Sequence, residues 1–296
     1  MKEIKVSSGN ENERLNKYLA RILPNASMGF IYKMLRKKNI TLNDKKASGS
    51  ELLKSGDQVK IFFSDETFEK FSARAEEHHR DVKPIKVLYE DDDIIAVHKP
   101  AGLLSQSDRK GGDCVNERIL SYLSSRDKLT DDFTPSIVNR LDRNTSGIVL
   151  AGKTYQGTRR LTEQIRTRQI IKKYKCICLG SFDKKMTVHS FLKEKQQNTV
   201  EILDSPSDGA KEIITEFIPE QKLTGFTFLT VVLHTGRKHQ IRAQLAHLGH
   251  PIVGDAKYGK GHGRMYLHAF SVDVPDVGVI TDPVPDEFGR FINAHI

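Results

Sequence analysis

The stretch Ile137-Val138-Asn139-Arg140-Leu141-Asp142-Arg143-Asn144-Thr145-Ser146-Gly147-Ile148-Val149-Leu150-Ala151 sets two β-branched apolar runs on either side of one polar turn. Ile137 to Arg140 and Ile148 to Ala151 read as strands, and Asn144-Thr145-Ser146-Gly147 turns the chain between them. That turn would hold one carboxylate, Asp142, at a strand edge beside Arg140 and Arg143, cations that favour a charged carboxylate. Such a group suits a nucleophile or an electrostatic stabiliser. An ordinary turn aspartate bonded to its own backbone explains the same residues, and the segment alone favours that plainer reading.

Outward from this loop the chain is rich in strands. Ile85 to Tyr89 and Ile94 to Val97 flank the turn cluster Glu90 to Asp93, and Gly111-Gly112 precedes an amphipathic helix at Val115 to Leu123. A basic helix is expected near Gln156 to Arg168. Strands follow at Ile170 to Leu179, Thr187 to Leu192, Glu212 to Ile218 and Phe226 to Leu233. A short helix at Lys238 to Leu248 comes before a last clear strand, Tyr266 to Val272. Many strands with few helices between them predict an α+β domain on a large, mostly antiparallel mixed sheet flanked by helices, over residues 84–296.

The region before it differs. Leu15, Tyr18, Leu19 and Ile22 recur at helical spacing, as do Ile31, Met34 and Leu35. Arg14, Lys17, Arg21, Lys33, Arg36, Lys37 and Lys38 lie on the other faces. Ile40 to Asn43 and Val59 to Phe63 read as short strands joined through the turn at Gly56-Asp57. Residues 1–63 thus form a small α+β unit whose basic helices could clamp a polyanion, although a solvated helical face has the same pattern. Residues 64–83 carry many charges, His78-His79 and few aliphatic side chains, and read as a linker.

Composition narrows the partner. The 296 residues carry 47 Lys and Arg against 38 Asp and Glu, a formal charge of +9. That excess favours a nucleic-acid partner, since each cation that neutralises a phosphate releases counterions. Three cysteines, Cys114, Cys176 and Cys178, are too few for a disulfide framework and fit a reducing compartment. Cys176 and Cys178 sit two apart in a strand pattern and read as small core residues. No metal site is expected. The N-terminus is polar and lacks an apolar signal segment, and no apolar run approaches the roughly 20 residues that span a bilayer. A cytoplasmic protein with no membrane association is expected.

A second cluster, Thr235-Gly236-Arg237-Lys238-His239-Gln240-Ile241-Arg242, ends a strand at a glycine turn and opens a helix rich in donors. Backbone amides at the helix start, with Arg237 and His239, would make a phosphate site. Ile241, Leu245 and Leu248 face the core. Arg242 lies at the edge of that face and needs a carboxylate, for which Asp142 is the candidate. His239, His247 and His250 read as surface or capping histidines with no zinc spacing. Gly254-Asp255-Ala256-Lys257-Tyr258-Gly259 lacks the context of a nucleotide-binding loop and reads as a surface loop.

Several ordered motifs over residues 85–275 resemble the RluA family of pseudouridine synthases: VLYEDDDIIAVHKPAGLLSQ, NRLDRNTSGIVLAGKT, IIKKYKCICLG, LHTGRKHQIRAQLAHLGHPIVGDAKYG and LHAF. Residues 12–63, with ERLNKYLA, KKNITLNDKKA and LKSGDQVKIFF, resemble the small RNA-binding domain named after ribosomal protein S-four. The resemblance implies a cofactor-free isomerase acting on structured RNA, foremost large-subunit ribosomal RNA, and working as a monomer. Asp142 would be the nucleophile. Tyr174 would stack on the detached uracil, and Arg242 would pair with Asp142. Arg140 would fill the space left by an extruded base, Ile241 would line the base pocket, and Arg237, His239 and Gln240 would contact substrate. Where the family often has His, this chain has Asn139. The same chemistry on transfer RNA, a non-catalytic RNA-binding ribosome assembly factor and a uracil-releasing glycosidase are the alternatives left open.

Overall fold

The computed structural model describes residues 1–72, 82–107, 112–126, 128–129, 133–196 and 198–296. The N-terminal unit contains β1 (Lys2–Lys5), α1 (Leu15–Ile22), α2 (Met28–Arg36), β2 (Ile40–Leu42), β3 (Lys45–Lys46), β4 (Gln58–Ile61) and α3 (Asp65–Ser72). Its four strands form a sheet ordered β1-β4-β2-β3. The apolar stripes of α1 and α2 interlock over it, burying Leu15, Leu19, Ile31 and Leu35 with Val59 and Ile61. The Ser27 hydroxyl caps α2 by accepting from Phe30 N at 3.3 Å, which satisfies one of the unpaired amides of the first turn.

Two expectations change here. The first residues of the 64–83 stretch form α3 rather than linker, because Phe68 and Phe71 give that helix an apolar side which packs on the N-terminal core. Residues 73–81 of the stretch, with His78-His79, and Gly111 before the amphipathic helix lie outside the described residues. Strand β1 was not expected from its short, charged sequence.

The second unit contains β5 (Lys86–Glu90), β6 (Ile94–Lys99), α4 (Val115–Ser124), β7 (Ser136–Ile137), β8 (Ser146–Gly152), α5 (Tyr155–Arg166), β9 (Ile171–Leu179) and β10 (Met186–Glu194). It continues with β11 (Val200–Leu203), β12 (Lys211–Leu223), β13 (Phe226–Leu233), α6 (Gln240–His247), β14 (Leu267–Val274), β15 (Gly278–Thr281) and α7 (Asp286–Asn293). Its 11-stranded sheet runs β11-β10-β12-β13-β9-β14-β8-β6-β5, with β7 and β15 paired to β8 and β14. The β14–β8 pair is parallel, and the other strand pairs of this sheet are antiparallel. The fold is therefore α+β on a mixed, mostly antiparallel sheet, as the strand pattern predicts.

Side chains that alternate along a strand pack on opposite faces. On one face Ile95, Val97, Val149 and Ala151 meet Val115, Ile119 and Leu123 of α4, and the same cluster takes in Tyr174, Ile241 and Leu245. On the other face Ile94, Ala96, Ile148 and Leu150 meet Leu161 of α5 and Ile280 of β15. Cys176 and Cys178 are buried, unbonded core residues. The two units touch where Gln156 Nε2 donates to Ser8 O at 3.0 Å and where the Arg21 guanidinium lies 5.1 Å from the Phe133 ring centre. Among the described residues no helix is long and apolar enough to cross a membrane.

Candidate active site

The sheet register brings the two chemical strands together. Tyr174 of β9 pairs with Ala269 of β14, and Ala269 pairs in turn with Gly147 of β8, five residues beyond Asp142. Gly147 has φ 120°, and a Cβ there would lie 2.2 Å from Ala269 O, so only glycine allows these backbones to meet. Tyr174 and the loop that carries Asp142 consequently face one cleft of about 930 Å³.

That loop leaves the sheet earlier than the sequence predicts. The expected strand from Ile137 to Arg140 ends at Ile137 in β7, after which Val138 N donates to Leu150 O at 2.9 Å. Asn139 then continues the pairing with its side chain, Oδ1 accepting from Leu150 N at 2.7 Å. Beyond it the backbone is tied down by residues the sequence reading missed. Ser105 Oγ donates to Leu141 O at 2.8 Å and accepts from Leu141 N at 3.0 Å. The fully buried Lys99 donates to Leu103 O at 2.7 Å, Arg143 O at 2.8 Å and Pro100 O at 3.1 Å. Burial pulls the Lys99 pKa down to about 7, opposed by the nearby Asp142. Thr145 N closes the turn onto Asp142 O at 3.0 Å. The carboxylate is thus presented by an immobilised loop.

Arg242, on α6, reaches Asp142 as expected, Nη1 donating to Oδ2 at 2.8 Å. It also has a second carboxylate. Nε and Nη2 donate to the two oxygens of Asp255 at 2.8 and 2.9 Å. The stretch around Asp255 was read as a surface loop, yet Asp255 is buried. Its Oδ1 also accepts from Lys257 N at 2.9 Å and Tyr258 N at 3.2 Å, which turns the loop inward. Burial alone would lower the Arg242 pKa, but the two carboxylates outweigh it and raise it. Asp255 is likewise held below the usual carboxylate range by Arg242 against the opposing effect of burial. Asp142 keeps 24% of its side chain exposed and Asp255 none, so Asp142 is the member of the triad open to a substrate.

His239 is not a surface residue. Its side chain is 8% exposed, its backbone is left-handed at φ 54°, and its Nε2 lies 3.8 Å from Asp142 Oδ2. Its Nδ1 shares a 2.8 Å hydrogen bond with the Tyr258 hydroxyl, which accepts from Val200 N of β11 at 2.9 Å. Burial lowers the His239 pKa, against the pull of Asp142. Tyr174 is buried, and desolvation together with Asp142 pushes its phenol pKa well up, so the hydroxyl stays protonated at ordinary pH.

The remaining expected site residues divide. Ile241 is core-packed and lines a smaller pocket next to the cleft, together with Asp142, Tyr174 and Leu233. Arg140 and Arg237 are exposed at the rim of the cleft, with no hydrogen bond or ion pair from either guanidinium among the described residues. Gln240 does not offer its amide to a substrate. Oε1 accepts from Thr235 Oγ1 and Arg237 N, both at 3.0 Å, and Nε2 donates to Thr215 Oγ1 at 2.9 Å. Those bonds shape the turn before α6 and occupy the Arg237 amide, so the expected phosphate site of helix-start amides is partly filled by the protein itself.

Known proteins share this sequence pattern and this fold. The family model described as RNA pseudouridylate synthase matches residues 93–247. A protein of Rickettsia felis named ribosomal large subunit pseudouridine synthase C is 35% identical over 280 residues, covering 88% of each chain. A protein of that name from Haemophilus influenzae is 29% identical over 285 residues, covering 92% of this chain and 86% of its own. Among solved structures, human RNA pseudouridylate synthase domain containing 4 shares the fold with a TM-score of 0.60 at 20% identity, over 70% of this chain and 92% of its own. With the fold, a matched family model and relatives matched over most of their length in agreement, this chain belongs to the RNA pseudouridylate synthase family.

Proposed function

We propose that the chain converts uridine to pseudouridine in large-subunit ribosomal RNA, with Asp142 as the nucleophile. The observation that carries this reading is the 2.8 Å contact of Arg242 Nη1 with the exposed Asp142 carboxylate, in a cleft that Tyr174 also lines. The reaction breaks the bond from uracil N1 to the sugar C1′, turns the ring and joins C5 to C1′. The C5 proton is lost, N1 gains a proton, and no oxidant or cofactor enters the balance. Arg242 orients the carboxylate for attack. Tyr174 stacks on the freed uracil, and Ile241 forms the apolar side of its pocket. The target must first leave its helix, at a cost of a few kcal/mol. Arg140, exposed at the rim, is placed to fill the vacancy, while Arg237 and His239 contact the substrate strand.

Residues 1–63 act here as an S-four-type RNA-binding domain. The exposed Lys17, Lys33 and Arg36 on α1 and α2, with Arg14 and Lys37 at their ends, support that role, as phosphate contacts supply much of the affinity for RNA. Ribosomal RNA as the substrate rests on the names of the relatives above. A monomer working in the cytoplasm completes the proposal.

The test is release of tritium from RNA labelled at uridine C5. The intact chain should release it from an unmodified large-subunit transcript, and Asp142→Asn should abolish release while binding that transcript within about threefold of wild type. Turnover by Asp142→Asn refutes the assignment of the nucleophile. Release from transfer RNA alone would move the substrate, and binding without any release would make the chain a non-catalytic RNA-binding factor.

A further inference from the structure

The cleft holds a half-buried cation, Lys172, to which the proposed chemistry gives no task. Lys172 lies two residues before Tyr174 on β9, so both side chains leave the strand on the same face and both line the cleft with Asp142. Its strand position pairs with Leu233, the last residue of β13, immediately before the turn at Thr235-Gly236-Arg237. A Cβ added to Gly236 would come 3.0 Å from Lys172 Nζ, which places the ammonium against that turn.

Every other lysine or arginine that lines the cleft is either exposed or matched. Arg242 is bound to two carboxylates, Lys257 donates to Asn198 O at 3.0 Å, and Arg143 donates to Gly102 O at 3.1 Å. Arg140, Arg237 and Lys238 are exposed to solvent. Lys172 alone among these is half-buried with no hydrogen bond or ion pair from its ammonium among the described residues. Burial pulls its pKa down, and no carboxylate pulls it back. A partly desolvated charge without a partner costs stability and is retained where a ligand supplies the counter-charge. A lysine ammonium is a compact, rotatable point charge suited to a single phosphate rather than to a planar base edge.

We propose that Lys172 binds the phosphate flanking the extruded uridine, anchoring the target nucleotide's backbone beside Tyr174 while the base is detached. The ligand class is an RNA phosphodiester. The inference rests on the RNA isomerisation proposed above and deepens it, because the backbone must be held while the uracil turns.

The test uses the intact chain with Lys172→Met and Lys172→Arg. Binding of an unmodified large-subunit ribosomal RNA transcript is measured against salt, with Asp142→Asn added to all three proteins to stop turnover. Loss of one phosphate contact should make the slope of log K against log salt shallower by about 0.7–0.9 in Lys172→Met, and Lys172→Arg should restore it. With Asp142 intact, kcat/KM of Lys172→Met should fall on the order of tenfold. Its urea midpoint should be equal to or above that of wild type, because a buried unpaired charge has gone.

A stem-loop around the uridine found to be modified in the transcript then receives one neutral methylphosphonate, on the 5′ or the 3′ side. At one of these positions wild type should lose activity while Lys172→Met loses nothing more. An unchanged salt slope, or additive losses at both positions, overturns the proposal and leaves Lys172 to the base or to packing. If wild type forms no pseudouridine at all, the failure lies in the proposed activity.

Discussion

Replacing Asp255 with Asn should test whether Asp142, the proposed nucleophile, depends on a residue whose own side chain is fully buried. The change keeps the shape of the side chain and its acceptor for Lys257 N and Tyr258 N, but removes the charge. It puts an amide donor against one of the two guanidinium donors now bound at 2.8 and 2.9 Å. A charged hydrogen bond is worth about 1.5–3 kcal/mol, and removing one partner of a buried pair costs about 3–5 kcal/mol. Since half of the bidentate contact survives, a loss of about 3 kcal/mol is expected by urea denaturation. Arg242 is then free to tilt away from Asp142, and a misplacement of this kind costs on the order of 10²-fold in turnover. The loss should fall on kcat, with KM changed by less than about threefold. Arg242→Met on its own also destabilises, but combining it with Asp255→Asn should cost clearly less than the sum, because no buried charge is left unpaired. Strict additivity, or a kcat for Asp255→Asn within about twofold of wild type, would refute the idea that Asp255 holds the Arg242–Asp142 pair in place.

Two further outcomes follow from the same geometry. Gly147→Ala combines a forbidden backbone at φ 120° with a methyl 2.2 Å from Ala269 O. It should cost at least about 3 kcal/mol or prevent folding, which thermal denaturation of the purified chain would show. His239 has its pKa lowered by burial from the ordinary 6.5. The unfolded chain therefore takes up its proton first as pH falls, so the contribution of His239 is constant above about 6.5 and is lost towards the lower folded value. Urea midpoints should decline over that acidic window in wild type and decline less in His239→Asn. Equal slopes would show that His239 is not the group responsible.

Much of this architecture was legible because it depends on local periodicity. The long strands β9, β10, β12 and β13 and the helices α1, α2, α4 and α5 each repeat a pattern over enough residues to stand out. The missed strands were short, β1, β11 and β15 with four residues each and β3 with two, too few for alternation to register, while α3 and α7, helices of eight residues, were missed as well. The site was legible where residue type implied a need. A buried arginine demands a carboxylate, and Arg242 found Asp142. It was illegible where the partner lies far along the chain and looks ordinary. Ser105 and Lys99 reach the Asp142 loop across 36 and 44 residues, and although both lie in the quoted stretch VLYEDDDIIAVHKPAGLLSQ, no local pattern ties either of them to Asp142. Asp255 was hidden by its glycines, which read as a surface turn although the backbone folds inward. Gln240 erred in the opposite direction, since a polar side chain next to the site turned out to serve the turn.

The order of the sheet has a consequence for how the protein is made. Strands β8 and β9 are neighbours in the chain, joined through α5, but they are not neighbours in the sheet, because β14 lies between them. As the polypeptide leaves the ribosome, Asp142 and Tyr174 emerge long before Leu267–Val274, the segment that bridges their strands. Until that segment arrives, β8 and β9 each present an unpaired edge, open to mispairing with another chain. A nascent chain ending near residue 260 should therefore be inert and prone to aggregate. Completion of β14 would seal the seam and assemble the candidate active site in one step, so catalytic competence would arise only once that strand has been made.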